Sequence, residues 1–363
     1  MMDKWANDMT DTQNKIDLLC SSLREIEESV LRLGEKKFRA KQVWDFLWKG
    51  YDICEMSNLP SAFRARLSEE AFVCRPAIAG KAVSKIDGTV KYLLRLSDGE
   101  LIECVVMEYE HGTSICISTQ AGCRMGCRFC ASTIGGKKRD LTASEMLSEI
   151  LTAQRDTGKR ISNIVMMGIG EPLDNYGNVI RFLSIVGAPD TLNIGYRHIS
   201  LSTCGIVPRI YDLANESFPI TLSISLHASN NDARSEIMPI NKKYPLEELL
   251  HACRDYFDKT GRRISFEYTL ISNKNDSPED ADALAALLFR YFRGVPFHVN
   301  LIPVNPVRER GFVSGGAARV NAFRDRLTEK HVNATVRRHL GGDIDASCGQ
   351  LRNKHTDDEE TEG

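Results

Sequence analysis

Three cysteines in the stretch CRMGCRFC, Cys123, Cys127 and Cys130, carry the strongest chemical signal in this 363-residue chain. Thiolates are soft ligands suited to iron–sulfur centres, and a four-iron cluster is ordinarily held by four of them. Three leave one iron without a protein ligand. An open iron points to chemistry at the cluster rather than electron storage, in particular to a cluster that chelates S-adenosylmethionine (SAM) and splits it to a radical. Zinc is the competing reading. Structural zinc sites pair CxxC knuckles and take a fourth ligand, which here would have to come from Cys116 or elsewhere. A triad behind a β-rich run, with no second CxxC, favours iron.

The remaining cysteines narrow the setting. Eleven is an odd count, and disulfides are rare in reducing compartments, so a disulfide framework is excluded. Cys20, Cys54, Cys74, Cys204 and Cys253 sit in or beside apolar segments and read as small packing residues. No apolar run approaches the ~20 residues of a membrane span. The opening MMDKWANDMTDTQNK lacks the apolar core of a secretory signal. A cytoplasmic, membrane-free monomer is expected. Net charge is −2, which excludes a simple polycation that coats nucleic acid, but the stretch from Asn353 to Gly363 is strongly acidic and the rest is slightly basic. Basic clusters at Lys137-Lys138-Arg139, Lys242-Lys243, Arg262-Arg263 and Arg337-Arg338 are compatible with a local face for RNA.

The elements that must position the triad follow from periodicity. Residues 1–15 are polar and expected to be disordered. Residues 16–75 read as a helical accessory domain, with KIDLLCSSLREIEESVLRLG, FRAKQVWDFLWKGY and AFRARLSEEAF as its helices. Arg39, Lys41 and the tryptophans of this domain are candidate RNA contacts, and a bundle packed on the main domain is the plainer alternative. Residues 76–111 form a β-rich connector, with a hairpin turning at Asp98-Gly99. From residue 112 to 352 strands alternate with helices. The candidates begin at SICIST, NIVMMG, HISLST, ITLSIS, ISFEYTLI, FHVNLI and NATVRR. Thr142 and Glu145 make a capping box, and Ser277-Pro278 opens another helix. Such repeats give a parallel sheet with right-handed crossovers. Six or seven units are too few for a closed eightfold barrel and fit an α/β fold with an open, partial barrel. Chemistry then collects at the C-terminal strand ends, where the cysteine triad follows the first strand. Residues 353–363 are an acidic, disordered tail.

The triad is followed in order by MMGIGEPLDN, LSTCGIVP, SLHA, NLIPVNP and DIDASCGQL. This ordered set closely resembles the radical-SAM RNA methyltransferases of the RlmN/Cfr family, over roughly residues 36 to 352 and including FRAKQVW. The resemblance implies a radical-SAM partial barrel, one [4Fe–4S] cluster on Cys123, Cys127 and Cys130, and two SAM molecules consumed per methylation. It makes Gly170 and Glu171 the site for the SAM amino group, and Ser202, Ser225, Leu226, His227 and Asn305 further SAM contacts. It makes Cys348 the cysteine that becomes S-methylcysteine, Cys116 its partner thiol in a transient disulfide, and Glu103 the proton-abstracting acid. Met167 matches a position near the methylated cysteine. Taken singly, each of these would more often be a strand-end cap or a packed side chain.

Carbon 2 of adenine is not nucleophilic, so polar methyl transfer from SAM fails there. The two-stage route implied by the resemblance solves this with a methyl parked on Cys348 and activated as a radical. The implied substrates are an adenosine of 23S rRNA in the peptidyl-transferase region and an anticodon-loop adenosine in tRNA. A flavodoxin- or ferredoxin-like one-electron donor is the implied partner. A base methylated on a ring atom must leave its stack. Pro172 and the Ile-Pro-Val before Asn305 lean toward carbon 2, with a Cfr-type carbon-8 enzyme as the alternative. Val304, Ser347 and Cys204 are departures from the family pattern that remove no chemical group. A non-catalytic iron–sulfur RNA-binding or redox-sensing protein is the alternative from another class. A glycyl-radical activase shares the triad but gives no reason for Cys348 and Cys116.

Overall fold

The computed structural model describes residues 15–110 and 112–351. The disorder expected of the first residues and of the acidic tail therefore falls outside the described residues. β1 (Ile16–Asp17) leads into a 3-10 turn capped by Asp17, and Ser22 then opens α1 (Leu23–Arg32) through a reciprocal box with Glu25. The first helix thus starts later than its periodicity predicts. The side chains of Asp17 and Ser22 accept backbone N–H groups that would otherwise continue it. α2 (Phe38–Leu47) and α3 (Ser61–Glu70) follow, and β2 (Ala71–Phe72) returns parallel to β1.

The tryptophans of this segment do not face outward for RNA. Trp44 is buried, donates its indole N–H to the Asp190 carbonyl at 2.7 Å, and meets Trp48 edge-on. Arg39 and Lys41 are engaged by Glu35 and Asp45. The rings therefore dock the segment, and its core is continuous with that of the main body.

β3 (Ala77–Val83), β4 (Val90–Arg95) and β5 (Leu101–Tyr109) form an antiparallel run joined to β6 (Gly112–Cys116). The Asp98-Gly99 turn lies where expected, with Gly99 at φ +89°. β3, rich in Ala, Gly and Lys, has little strand propensity to announce it. These strands extend one edge of the main sheet. β7 (Gln120–Gly122) and β8 (Lys137–Asp140) pair around the cysteine stretch.

The rest alternates as α4 (Ala143–Thr157), β9 (Ile161–Met166), α5 (Tyr176–Val186), β10 (Ile199–Thr203), α6 (Val207–Leu213), β11 (Thr221–Ser225), α7 (Asn231–Ile237), α8 (Leu246–Thr260), β12 (Ile264–Leu270), α9 (Pro278–Phe292), β13 (Phe297–Pro303), α10 (Gly316–Glu329) and β14 (Ala334–Val336). The boxes at Thr142 and Ser277 form as predicted. The ten-stranded sheet runs β14-β13-β12-β11-β10-β9-β6-β5-β4-β3, and β6 and β9 to β14 are parallel. It is an open partial barrel.

Alternation decides what each face does. Leu201, Leu222, Ile224, Phe266, Val299 and Leu301 pack beneath the helices. The other face is polar. Ser200 and Ser223 hydroxyls meet at 3.0 Å, and Ser265 and Asn300 donate to Glu267 at 3.1 and 2.7 Å. A closed barrel fills its interior with branched aliphatics. Small polar residues here leave room above them.

Candidate active site

The cysteine stretch occupies the connection between β7 and β8. It is shaped by main-chain bonds: Arg128 N–H donates to Ile237 O at 2.9 Å and Cys130 N–H to Cys127 O at 3.2 Å. Thr133 Oγ1 donates to the carbonyls of Cys127 and Cys130, and Arg310 donates to Thr133 Oγ1 at 2.7 Å. Gly122, at φ +77°, is required because a Cβ there would sit 1.9 Å from the Gly136 carbonyl oxygen. All three thiols line one cavity of about 930 Å³ at the C-terminal strand ends. Among the described residues no three His, Cys, Asp or Glu groups converge as a single-ion site would need. Three thiols on one cavity wall fit a cluster that takes each thiolate on a separate iron.

On the opposite wall, Gly170 has φ +110°, and a Cβ would meet the Gln120 backbone nitrogen at 2.8 Å. The next residue, Glu171, is buried with its carboxylate held by two main-chain donors, Leu173 N–H at 3.0 Å and Cys204 N–H at 2.7 Å. Burial pushes its pKa up against those bonds. Gln120 beneath it accepts the Glu171 N–H at 2.9 Å and donates to Asp140 and Asp174. Asp174 in turn pairs with Arg124 and Lys137. Lys137 and Arg139, candidates for phosphate contacts, are thus committed inward. Arg139 pairs with Glu145 and Asp98.

Ser202, Ser225, His227 and Asn305 line the same cavity. His227 adopts φ +58°, a conformation costing about 1–3 kcal/mol that its surroundings must hold. The Asn275 side-chain amide donates to its carbonyl at 2.8 Å, and Thr269 N–H donates to its Nδ1 at 2.9 Å. The ring meets Phe129 edge-on, and burial lowers its pKa to about 3, so the imidazole is neutral. Leu226, between Ser225 and His227, points its side chain into the helix-facing core, while its N–H donates to the Glu267 carbonyl at 3.0 Å and its own carbonyl accepts from Arg234 Nε at 3.0 Å.

Cys348 lies on a loop after β14, with Gly349 at φ +82°. The loop is stitched to the cysteine stretch: Ala131 N–H donates to Gly349 O at 2.8 Å and Ser132 Oγ to Leu351 O at 2.7 Å. Asn305 Nδ2 donates to the Cys348 carbonyl at 2.9 Å. A second cavity, of about 840 Å³, is lined by Cys116, Tyr109, Arg338 and His339. Cys348, Met167, Asn305 and Arg337 border both. Cys116 on β6 is buried, and burial together with Cys348 pushes its thiol up to about 12. All eleven cysteines are free thiols. Cys204 and Cys253 are buried, Cys20 and Cys74 half-buried, and Cys54, read as a packing residue, is exposed.

Glu103 sits on β5, on the face that carries Val105 and Met107, and lines neither cavity. It is buried, with Lys91 Nζ 3.4 Å away, and Lys91 also donates to the Asp345 carbonyl. Arg337 is no surface phosphate binder. Its Nη1 lies 3.1 Å from Met167 Sδ and 3.9 Å from Glu267. Sequence reasoning missed Arg234 and Glu267 entirely. Both look like ordinary surface charges in sequence, and only the fold turns them inward.

Residues 117–285 match the model of the radical SAM superfamily, and residues 16–73 match that of a ribosomal RNA large subunit methyltransferase N-terminal domain. Fold and site together define a radical-SAM enzyme. A crystal structure of a radical SAM methyltransferase from Sphaerobacter thermophilus superposes with TM-score 0.87 at 41% identity, over 93% of this chain and 99% of that one. Probable dual-specificity RNA methyltransferases RlmN from Clostridium acetobutylicum and Alkaliphilus oremlandii are each 52% identical, over 93% and 94% of this chain and 97% and 98% of theirs. The chain belongs to the RlmN family of radical-SAM RNA methyltransferases. Its cofactors are a [4Fe–4S] cluster and SAM. The three thiols around one cavity and the Cβ-free cradle at Gly170 fit them. No helix among the described residues is long and apolar enough to cross a membrane.

Proposed function

We propose that the chain methylates carbon 2 of an adenosine in the peptidyl-transferase region of 23S rRNA, and of an anticodon-loop adenosine in tRNA. A flavodoxin- or ferredoxin-like protein serves as electron donor. The observation that carries this reading is the position of Cys348 on the wall shared by two cavities, with the cysteine triad in one and Cys116 in the other.

Cys123, Cys127 and Cys130 hold the cluster, and Gly170, Glu171, Ser202, Ser225, His227 and Asn305 surround SAM. When bound, these groups supply a methyl cation equivalent and, separately, a radical that abstracts hydrogen. The chain does the rest. Cys348 takes the methyl as a thiolate nucleophile and carries it as a thioether. Arg337 and Met167, at the shared wall, fix the carrier's surroundings. The outer cavity, with Tyr109, Arg338 and His339, receives the unstacked base. Glu103, with Lys91 Nζ 3.4 Å from its carboxylate, takes the ring proton. Cys116 attacks the Cys348 sulfur, so a transient disulfide forms as the carbon–sulfur bond to the product breaks; its electron pair passes to the product carbon, which takes a proton, and an external thiol reductant restores the two thiols.

The test is mass spectrometry of digested rRNA and tRNA from cells with and without the protein. Disappearance of 2-methyladenosine is expected. Disappearance of 8-methyladenosine with 2-methyladenosine unchanged would mean a carbon-8 enzyme instead.

A further inference from the structure

Arg234 lies on α7 and is fully shielded from solvent. Its guanidinium donates only to neutral acceptors. Nε reaches Leu226 O at 3.0 Å and Nη1 reaches Asn241 Oδ1 at 3.0 Å, while Nη2 reaches Cys204 O at 2.7 Å and Ser225 O at 2.9 Å. Among the described residues no carboxylate forms an ion pair with it. An arginine does not shed its proton in a protein, and a buried charge without a counter-charge costs several kcal/mol. Hydrogen bonds satisfy the donors here and leave the charge unbalanced.

Cys127, a member of the triad, packs in one apolar cluster with Cys204 and with Ile237 of the same helix, and the Arg128 N–H between the cluster cysteines donates to the Ile237 carbonyl at 2.9 Å. Cys204 is gripped from both sides, its N–H by Glu171 and its carbonyl by Arg234. The same side chain therefore ties the ends of β10 and β11 to the wall of the cluster cavity. A four-iron cluster on three thiolates carries net negative charge, which grows by one on reduction. That is the anion the buried cation lacks.

We infer that Arg234 is the built-in counter-charge of the cluster, a positioning residue that raises its reduction potential and favours uptake of the electron that starts the reaction. The inference rests on Cys127 being a cluster ligand. The step is a one-electron transfer from an external low-potential donor. No bond forms or breaks and no proton moves.

The full-length protein and its Arg234→Gln and Arg234→Lys variants are reconstituted anaerobically with iron and sulfide. Iron content is measured, and reduction by dithionite is followed by electron paramagnetic resonance through a mediator titration. Arg234→Gln should keep its iron while the reduction equilibrium constant falls at least tenfold, about 59 mV for one electron. Arg234→Lys, which keeps the charge, should fall by less. A purely structural role would instead lower iron content or melting temperature equally in both. Asn241→Asp places a carboxylate against Arg234 without deleting it, and decides the matter if Arg234→Gln does not fold. It too should lower the midpoint at least tenfold. An unchanged midpoint in a cluster that depends on the triad overturns the counter-charge. Full iron in a protein with Cys123, Cys127 and Cys130 all changed to Ala would sink the ligand assignment, and the counter-charge with it.

Discussion

Asn305 donates its side-chain amide to the carbonyl of Cys348 at 2.9 Å, across the wall between the two cavities. A residue read from sequence as a cofactor contact therefore also sets the main chain of the proposed methyl carrier. Asn305→Asp replaces a donor with a carboxylate facing a carbonyl. We expect at least a tenfold loss of RNA methylation while iron content and reductant-dependent release of 5′-deoxyadenosine persist. Parallel loss of both activities would assign Asn305 to SAM alone.

The two thiols of the outer cavity separate in their failures. Cys348→Ala leaves nothing to accept the methyl, and methylated RNA should be absent with the fold intact by circular dichroism. Cys116→Ala blocks release only. The RNA should then stay bonded to the protein through a carbon–sulfur link that survives thiol reductants and migrates as a slow band on a denaturing gel. Normal turnover by Cys116→Ala would remove it from the mechanism.

Gly170 sits at φ +110° with Gln120 filling the space where a Cβ would go. Gly170→Ala combines backbone strain of about 1–3 kcal/mol with a push on Gln120, which carries Glu171 and Asp174. Lower melting temperature and at least tenfold weaker SAM binding by calorimetry are expected together. Unaltered SAM affinity would show that this turn does not shape the SAM site.

Arg155 on α4 grips Glu55 of the accessory segment through two 2.6 Å bonds. The Arg155 hydrogen bonds hold the Glu55 carboxyl at about 2, below its usual 4.5, against a smaller opposing effect of burial. Docking stability from this pair is complete above pH 4.5 and is lost as the pH falls toward 2. Hydrogen exchange across residues 16–73 should therefore rise between pH 4.5 and 2, and high salt should produce part of the same loosening. Glu55→Gln should remove the pH dependence in that window.

What could be read in the sequence was the part written in periodicity and spacing. Six of the seven parallel strands lie within two residues of their hydrophobic runs, and the first, β6, ends three residues early, because each run alternates with a helical pattern of different period. The triad was legible from its spacing alone, whereas Cys348 stood out only through the resemblance carried by the ordered motifs around it. β3 and the β7–β8 pair were not, since short strands with Lys, Gly and Ala depend on neighbours for their pairing. Buried charge was the least legible. Nothing in DARSEI signals burial and Arg337-Arg338 reads as a basic cluster, yet Arg234 on α7 is fully buried and Arg337, just after β14, lines the inner cavity. Leu226 shows the same limit: one residue along a strand end exchanges the cavity for the core, so its side chain packs beneath the helices while Ser225 and His227 line the cavity.

The bonds from Ala131 and Ser132 to Gly349 and Leu351 bring the last described residues onto the middle of the chain. During synthesis the cysteine stretch is complete long before its companion loop exists. A nascent chain that has reached only α10 holds the three cysteines without the loop that braces them. The cysteine stretch therefore takes its final shape only once residues 347–351 have been made and have packed against it.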